Sequence, residues 1–134
     1  MKQQISYEIN GGVEVGEVLK LYREAGLNRP QEAAKLRMML DRATVRIAAR
    51  HEGRLVGFLR AFTDACFDCY VNDLAVHPDY QGKGIGEELL KQLTGLLEEG
   101  TMLFLLTAPE AAGFYEKQQF RTFDNPRTAL YKKA

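Results

Sequence analysis

Apolar positions recur along the chain with two different periods, and the switches between them predict the elements. Residues 4–8 alternate, with Ile5 and Tyr7 on one face, and read as a strand. Asn10-Gly11-Gly12 breaks it. Over residues 13–25 the period lengthens, and Val15, Val18, Leu19 and Tyr22 fall on one helical face, with Gly26 as the stop. Pro30 then opens a second helix to about Arg42, with Ala33, Leu36, Met39 and Leu40 inward; a first turn has no use for the N–H that proline lacks. Residues 45–52 and 55–63 return to strand character around a Gly53-Arg54 hairpin turn, and residues 64–68 turn into the next strand.

The central stretch is residues 70–97, Y-V-N-D-L-A-V-H-P-D-Y-Q-G-K-G-I-G-E-E-L-L-K-Q-L-T-G-L-L. Residues 70–76 are short, apolar and partly β-branched, which suits a strand. Pro78 ends it, since proline has no N–H for a ladder, and His77 beside it reads as a strand-end residue. Gly82, Gly84 and Gly86 follow, and a helix begins near Gly84 with Ile85, Leu89, Leu93, Leu96 and Leu97 as its buried stripe. Gly100 is its stop. Residues 102–107 are a very apolar run and predict a strand buried on both faces, parallel to the central one, in a βαβ unit with a right-handed crossover. Pro109 starts a short helix to Lys117, and residues 120–123 and 129–131 predict closing strands around an Asn125-Pro126 turn. The order is βααβββαβαβ(β), a mixed α/β domain.

The glycine loop is the candidate binding element. The first turn of a helix carries N–H groups with no partner in the helix, and the dipole adds positive potential there. Glycines let an anion approach the backbone without meeting a Cβ. Gly82 to Glu87 is therefore a plausible pyrophosphate seat, the alternative being a strand-to-helix connection that binds nothing. Two common phosphate motifs are excluded by residue type: no Gly-Lys-Ser or Gly-Lys-Thr occurs, and Glu87 stands where a dinucleotide fingerprint needs its third glycine.

What remains is Gln81-x-x-Gly84-x-Gly86, after a strand ending V-x-P and before an amphipathic helix. This resembles the acetyl-coenzyme A signature of the GNAT N-acetyltransferase superfamily, and the predicted element order matches that family along nearly the whole chain. The resemblance implies a central mixed β-sheet with helices on both faces and acetyl-CoA as cosubstrate, with no metal. It implies that Leu74, Ala75 and Val76 run beside the pantetheine, with the Leu74 N–H as oxyanion donor. Gln81, Gly82, Lys83, Gly84, Ile85, Gly86 and Glu87 would hold the pyrophosphate.

A second stretch, A-P-E-A-A-G-F-Y-E-K-Q-Q-F at residues 108–120, resembles the family's A-x-x-F-Y-E-K-x-G-F segment. That likeness implies that Tyr115 points to the thioester sulfur and protonates the departing thiolate, with Phe114 and Lys117 beside the cofactor. On its own, a tyrosine on a short amphipathic helix is usually just a packed ring with its OH satisfied. Two departures stand out: Gln119 where the family usually has glycine, and Ala108-Pro109 where many members have an asparagine.

The general base is less marked. Alternation puts Tyr70 and Asn72 on the face of Leu74, with Asp73 opposite unless a bulge intervenes. A water chain ordered by Asn72 or Asp73 is the expectation. In the family the first two helices and their connection border the acceptor site, so residues 26–29 are a candidate substrate wall.

Length and composition narrow the rest. The chain has 134 residues, enough for one domain with a core, read as a single GNAT domain over residues 1–134. Its 18 basic and 18 acidic residues cancel, with no basic stripe, so nucleic acid is an unexpected partner. No apolar run reaches membrane-spanning length and residues 1–7 lack a signal-peptide core, so no membrane partner and a cytoplasmic location are expected. Cys66 and Cys69 lie at a hairpin turn without further zinc ligands and read as reduced thiols. The acceptor expected is a primary amine of a small molecule, the similarity being loosest here. A protein or peptide acceptor, or a coenzyme A-binding sensor without turnover, are the alternatives. An apolar C-terminal strand with an open edge offers a route to a homodimer.

Overall fold

The computed structural model describes residues 4–123 and 128–134. Five strands form one sheet in sequence order: β1 (Ser6–Ile9), β2 (Val45–His51), β3 (Arg54–Thr63), β4 (Asp68–Val76) and β5 (Met102–Phe104). The first four are antiparallel neighbours, and β5 runs parallel to β4, as the βαβ reading expects. Helices α1 (Val15–Ala25) and α2 (Ala33–Arg42) cover one face, and α3 (Ile85–Thr94) covers the other. A short α4 (Ala112–Lys117) follows β5.

Each face has its own apolar layer. Val18, Leu21, Tyr22, Leu36 and Leu40 pack on Ala48, Phe58 and Ala75 of the sheet. On the opposite side Ile85, Leu89, Leu90 and Leu93 pack on Ile47, Leu59, Ala61 and Val71. Gly57 of β3 sets how closely α3 approaches: a Cβ there would lie 2.9 Å from Ile85 Cγ2 and 3.2 Å from the Ala49 Cβ.

Several boundaries differ from the sequence reading, each for a local reason. Helix α1 starts at Val15, because the Glu17 carboxylate accepts from the Glu14 N–H at 2.9 Å and closes the first turn. Helix α2 starts at Ala33 rather than Pro30. The residues before it are held extended by tertiary bonds: Arg29 reaches Asp73, and Gln31 donates to the Arg29 carbonyl and accepts from Arg23. The β2–β3 hairpin turns on Glu52 and Gly53, not Gly53 and Arg54; both have positive φ, 50° and 80°, as a tight primed turn requires. Helix α3 stops at Gly95, not Gly100, so Leu96 leaves the stripe and is 41% exposed.

The C-terminal part departs furthest. Strand β5 has three residues and is partly exposed, not a six-residue strand buried on both faces. No strand among the described residues pairs with its outer edge, since residues 120–123 and 129–131 form none. The Asn125-Pro126 turn lies outside the described residues.

Candidate active site

The central strand is irregular where the chemistry is expected. Asp73 pairs with Arg60 but Val71 pairs with Ala61, so Asn72 is an extra residue, a bulge in β4. The bulge changes the phase of the strand. Before it, Cys69 and Val71 face α3; after it, Leu74 and Val76 do, while Asp73 and Ala75 face α1. Tyr70, expected on the face of Leu74, instead stacks on Phe104 at 5.0 Å.

The bulge also precedes a split in the sheet. Strand β5 pairs only with residues 68–70 of β4 and then diverges. The His77 N–H donates to Val56 of β3, so alternation directs the backbone groups of Val76 and Leu74 away from β3, toward the open side. The Val76 carbonyl there is taken by the Gln81 side chain at 3.1 Å, which ties the glycine loop to the strand end.

Between strand and helix, a 3-10 turn over Pro78–Tyr80 brings the chain round. His77 caps it by accepting from the Asp79 N–H, a structural role that agrees with its reading as a strand-end residue. Gly82 and Gly84 sit at φ 76° and 85°, a left-handed backbone that favours glycine. Gly84 is the N-cap of α3, and the Glu88 N–H takes its carbonyl. The N–H groups of Ile85, Gly86 and Glu87 hold no hydrogen bond to a described residue.

A cavity of about 520 Å³ joins these parts. Leu74, Val76, Gln81, Gly82, Gly84, Ile85, Gly86, Glu87, Phe114 and Tyr115 line it, together with Tyr80, Ala111 and Gln118. No motif in the sequence points to the last three. Tyr80 lies just before the glycines, and its buried ring, whose hydroxyl is within hydrogen-bond distance of His51 Nδ1 at 2.7 Å, backs the loop. The Tyr115 ring packs edge-to-face on Phe114 and Phe120, and burial raises its phenol above the ordinary value, so it stays protonated through neutral pH.

Five expected site residues do not line the cavity: Asn72, Asp73, Ala75, Lys83 and Lys117. Ala75 is buried against the α1 layer, so only its backbone is near. Lys83 lies over the Tyr80 ring, 5.4 Å from its centre, and Lys117 is exposed at the end of α4. Asp73 is sealed from solvent and fully engaged: Oδ1 accepts from Arg29 at 2.6 Å, and Oδ2 accepts from Tyr22 at 2.8 Å and Arg60 at 2.6 Å. That geometry leaves little room for a water to bind it. Asn72 differs: its Oδ1 is buried with no hydrogen-bond partner among the described residues.

Open N–H groups at a helix start, a split strand and a phenol in one cavity are an arrangement that suits a phosphate-bearing thioester. The profile of the acetyltransferase (GNAT) domain matches residues 42–122. The chain belongs to the GNAT family. This GNAT chain is 34% identical over 110 residues to serotonin N-acetyltransferase 2, chloroplastic, of Oryza sativa subsp. japonica, covering 78% of this chain and 54% of that protein. It is 30% identical over 120 residues to the uncharacterized N-acetyltransferase ycf52 of Gracilaria tenuistipitata var. liui, covering 84% and 65%. It spans only 56% of the ycf52 protein of Porphyra purpurea. A GNAT family acetyltransferase from Streptococcus pneumoniae superposes with a TM-score of 0.80 at 27% identity, covering 98% of this chain and 100% of that one. No helix among the described residues is long and apolar enough to cross a membrane, and none of their His, Cys, Asp and Glu side chains form a cluster of three able to hold a metal.

Proposed function

We propose that this chain is an acetyl-CoA-dependent N-acetyltransferase that acetylates a primary amine of a small molecule within a ternary complex. The observation that carries the reading is the cavity in which the unpaired N–H groups of residues 85–87, the open side of β4 at Leu74 and the Tyr115 phenol meet. The names of the relatives support acetyl transfer to nitrogen.

In this account the amides at the start of α3 hold the diphosphate, where dipole and geometry both favour an anion. Gly86 leaves space that a Cβ would take from Phe114, 3.0 Å away. Leu74 and Val76 bond the amide arm of the cofactor as a neighbouring strand would. The Leu74 N–H then faces the oxygen that gains charge when the amine attacks. The C–N bond forms, the C–S bond breaks, and the Tyr115 hydroxyl donates to the leaving sulfur. Its raised pKa makes it a hydrogen-bond donor first; the net proton comes from the ammonium that the amine becomes. Asn72 Oδ1 accepts from that nitrogen or from a water on it, and Asp73 holds its two arginines.

The test is thiol release from acetyl-CoA across a panel of amines, comparing wild type with Tyr115→Phe. Removal of a positioned proton donor costs about 10²-fold or more in kcat. The account expects that loss with cofactor affinity retained. Equal turnover by both proteins would remove Tyr115 from the reaction; cofactor binding with no turnover in either would favour a sensor.

A further inference from the structure

The acceptor side of the bulge carries a charge that the chain does not balance. Arg29 and Arg60 both pair with Asp73, and neither meets a second carboxylate among the described residues. One positive charge is left over. Arg29 spends its donors on Asp73 and on the carbonyls of Asn28 and Asn72. Arg60 does not: only its Nε is bonded, to Asp73, and Nη1 and Nη2 hold no hydrogen bond to a described residue. The side chain is 8% exposed, yet neither of those nitrogens is sealed from solvent. A planar fork of two unbonded nitrogens is the shape that takes a carboxylate in two parallel hydrogen bonds.

The fork stands beside an apolar shelf. Arg60 and Phe62 share a face of β3, with the guanidinium carbon 5.8 Å from the Phe62 ring centre. Phe62 is 38% exposed and pairs across the strands with Tyr70, which stacks on Phe104. The cluster also reaches the split in the sheet, because Arg29 donates to the carbonyl of Asn72 at 3.0 Å. Asn72 precedes Leu74 by two residues, about 7 Å of strand.

We propose that the acceptor is an amino acid with an apolar or aromatic side chain, whose carboxylate binds the Nη1–Nη2 fork of Arg60 while its amine reaches the thioester at Leu74. This rests on the acetyltransferase reading above and names the substrate class for it. The bare excess charge repels an ammonium, so an acceptor without a carboxylate enters against it; one with a carboxylate neutralises it. The rings of Phe62 and Tyr70 then cover the hydrocarbon part, and the buried Asn72 Oδ1 supplies an acceptor on the side of the amine.

The experiment compares phenylalanine, phenylalaninamide and phenethylamine as acceptors. The amide controls for amine basicity, since it is uncharged at the carbonyl end and has the more acidic ammonium. The expected result is a kcat/KM for phenylalanine at least tenfold above both others, with Arg60→Lys collapsing that ratio. Preference for either uncharged-end amine by the wild type overturns the proposal. Because Arg60→Lys disturbs a buried ion pair, a second measurement uses the wild type alone. With coenzyme A bound, 3-phenylpropionate is expected to raise the melting temperature and 3-phenylpropanamide to leave it unchanged; equal shifts, or none, overturn the proposal. If coenzyme A binds but no amine is turned over, the acetyltransferase reading fails, and the melting data still decide whether the fork takes a carboxylate.

Discussion

The Phe120 N–H donates to the Tyr115 carbonyl at 3.1 Å, and the two rings meet edge-to-face with centres 5.7 Å apart. The Gln119 N–H donates to Glu116 in the same turn. Together these bonds end α4 in a Schellman motif, so the helix stop and the orientation of Tyr115 are one structure. The motif needs a left-handed residue, and Gln119 fills it at φ 73°. Left-handed backbone costs a residue with a Cβ about 1–2 kcal/mol, while glycine gives back about 0.5–1 kcal/mol in unfolded-chain entropy. Gln119→Gly should therefore stabilise the protein slightly, seen as a higher urea midpoint at unchanged slope.

Asp73 is the opposite case, a side chain whose removal leaves charges stranded. Asp73→Asn keeps the shape but faces Arg29 and Arg60 with a neutral amide. Breaking a buried pair by one partner costs about 3–5 kcal/mol. The expected outcome is a loss of that order in chemical denaturation, larger than that of Tyr22→Phe, which removes a single hydrogen bond to the same carboxylate.

Gly57→Ala tests the seat of α3. The new methyl would press on Ile85 Cγ2, the Ala49 Cβ and, at 3.3 Å, Leu89 Cδ1, all in a closed layer. Overpacking of this kind costs about 1–3 kcal/mol. Since Ile85 opens α3, the same variant should weaken coenzyme A binding in calorimetry even where it remains folded.

Two of the shifted groups, Tyr22 and Glu17, shape the alkaline and acid flanks of stability. Burial, with the Asp73 charge beside it, pushes the Tyr22 phenol well above its ordinary value. Its contribution is complete below the unfolded pKa of about 10 and is lost as pH rises beyond it, because only the unfolded chain then releases the proton readily. Glu17 is shifted down, chiefly by its hydrogen bond from Arg50. Its contribution is present above the ordinary carboxylate range and is lost as pH falls through the lowered folded value. Urea midpoints across pH should show a neutral plateau with both flanks, and Tyr22→Phe should flatten the alkaline one.

The helical stripe Ile85, Leu89 and Leu93 and the glycines at 82, 84 and 86 were legible because local pattern and tertiary packing agree there. The face of Tyr70 was not, because period-two reading back from Leu74 assumes a regular ladder and the Asn72 bulge resets the phase; Asp73, on the near side of the bulge, lies opposite Leu74 as alternation expects. The start of α2 was missed for a related reason: Pro30 is a sound local signal, but Arg29 is drawn to Asp73, 44 residues away, and holds the chain extended. The closing strands were read from apolar residues such as Leu130 and Tyr131, which are 88% and 91% exposed, so apolar content there reflects no packing within the described chain. Tyr115 was found through family likeness alone; its place in the cavity depends on the turn at Gln119, which no periodicity reveals.

The central claim is that the unbonded amides at the start of α3 grip a diphosphate. Amide chemical shifts recorded while coenzyme A is titrated into labelled protein test it residue by residue. The account expects saturable shifts concentrated at Ile85, Gly86 and Glu87, with smaller ones at Leu74 and Val76. Saturable binding that leaves those three amides unmoved, or no saturation at millimolar coenzyme A, would contradict it.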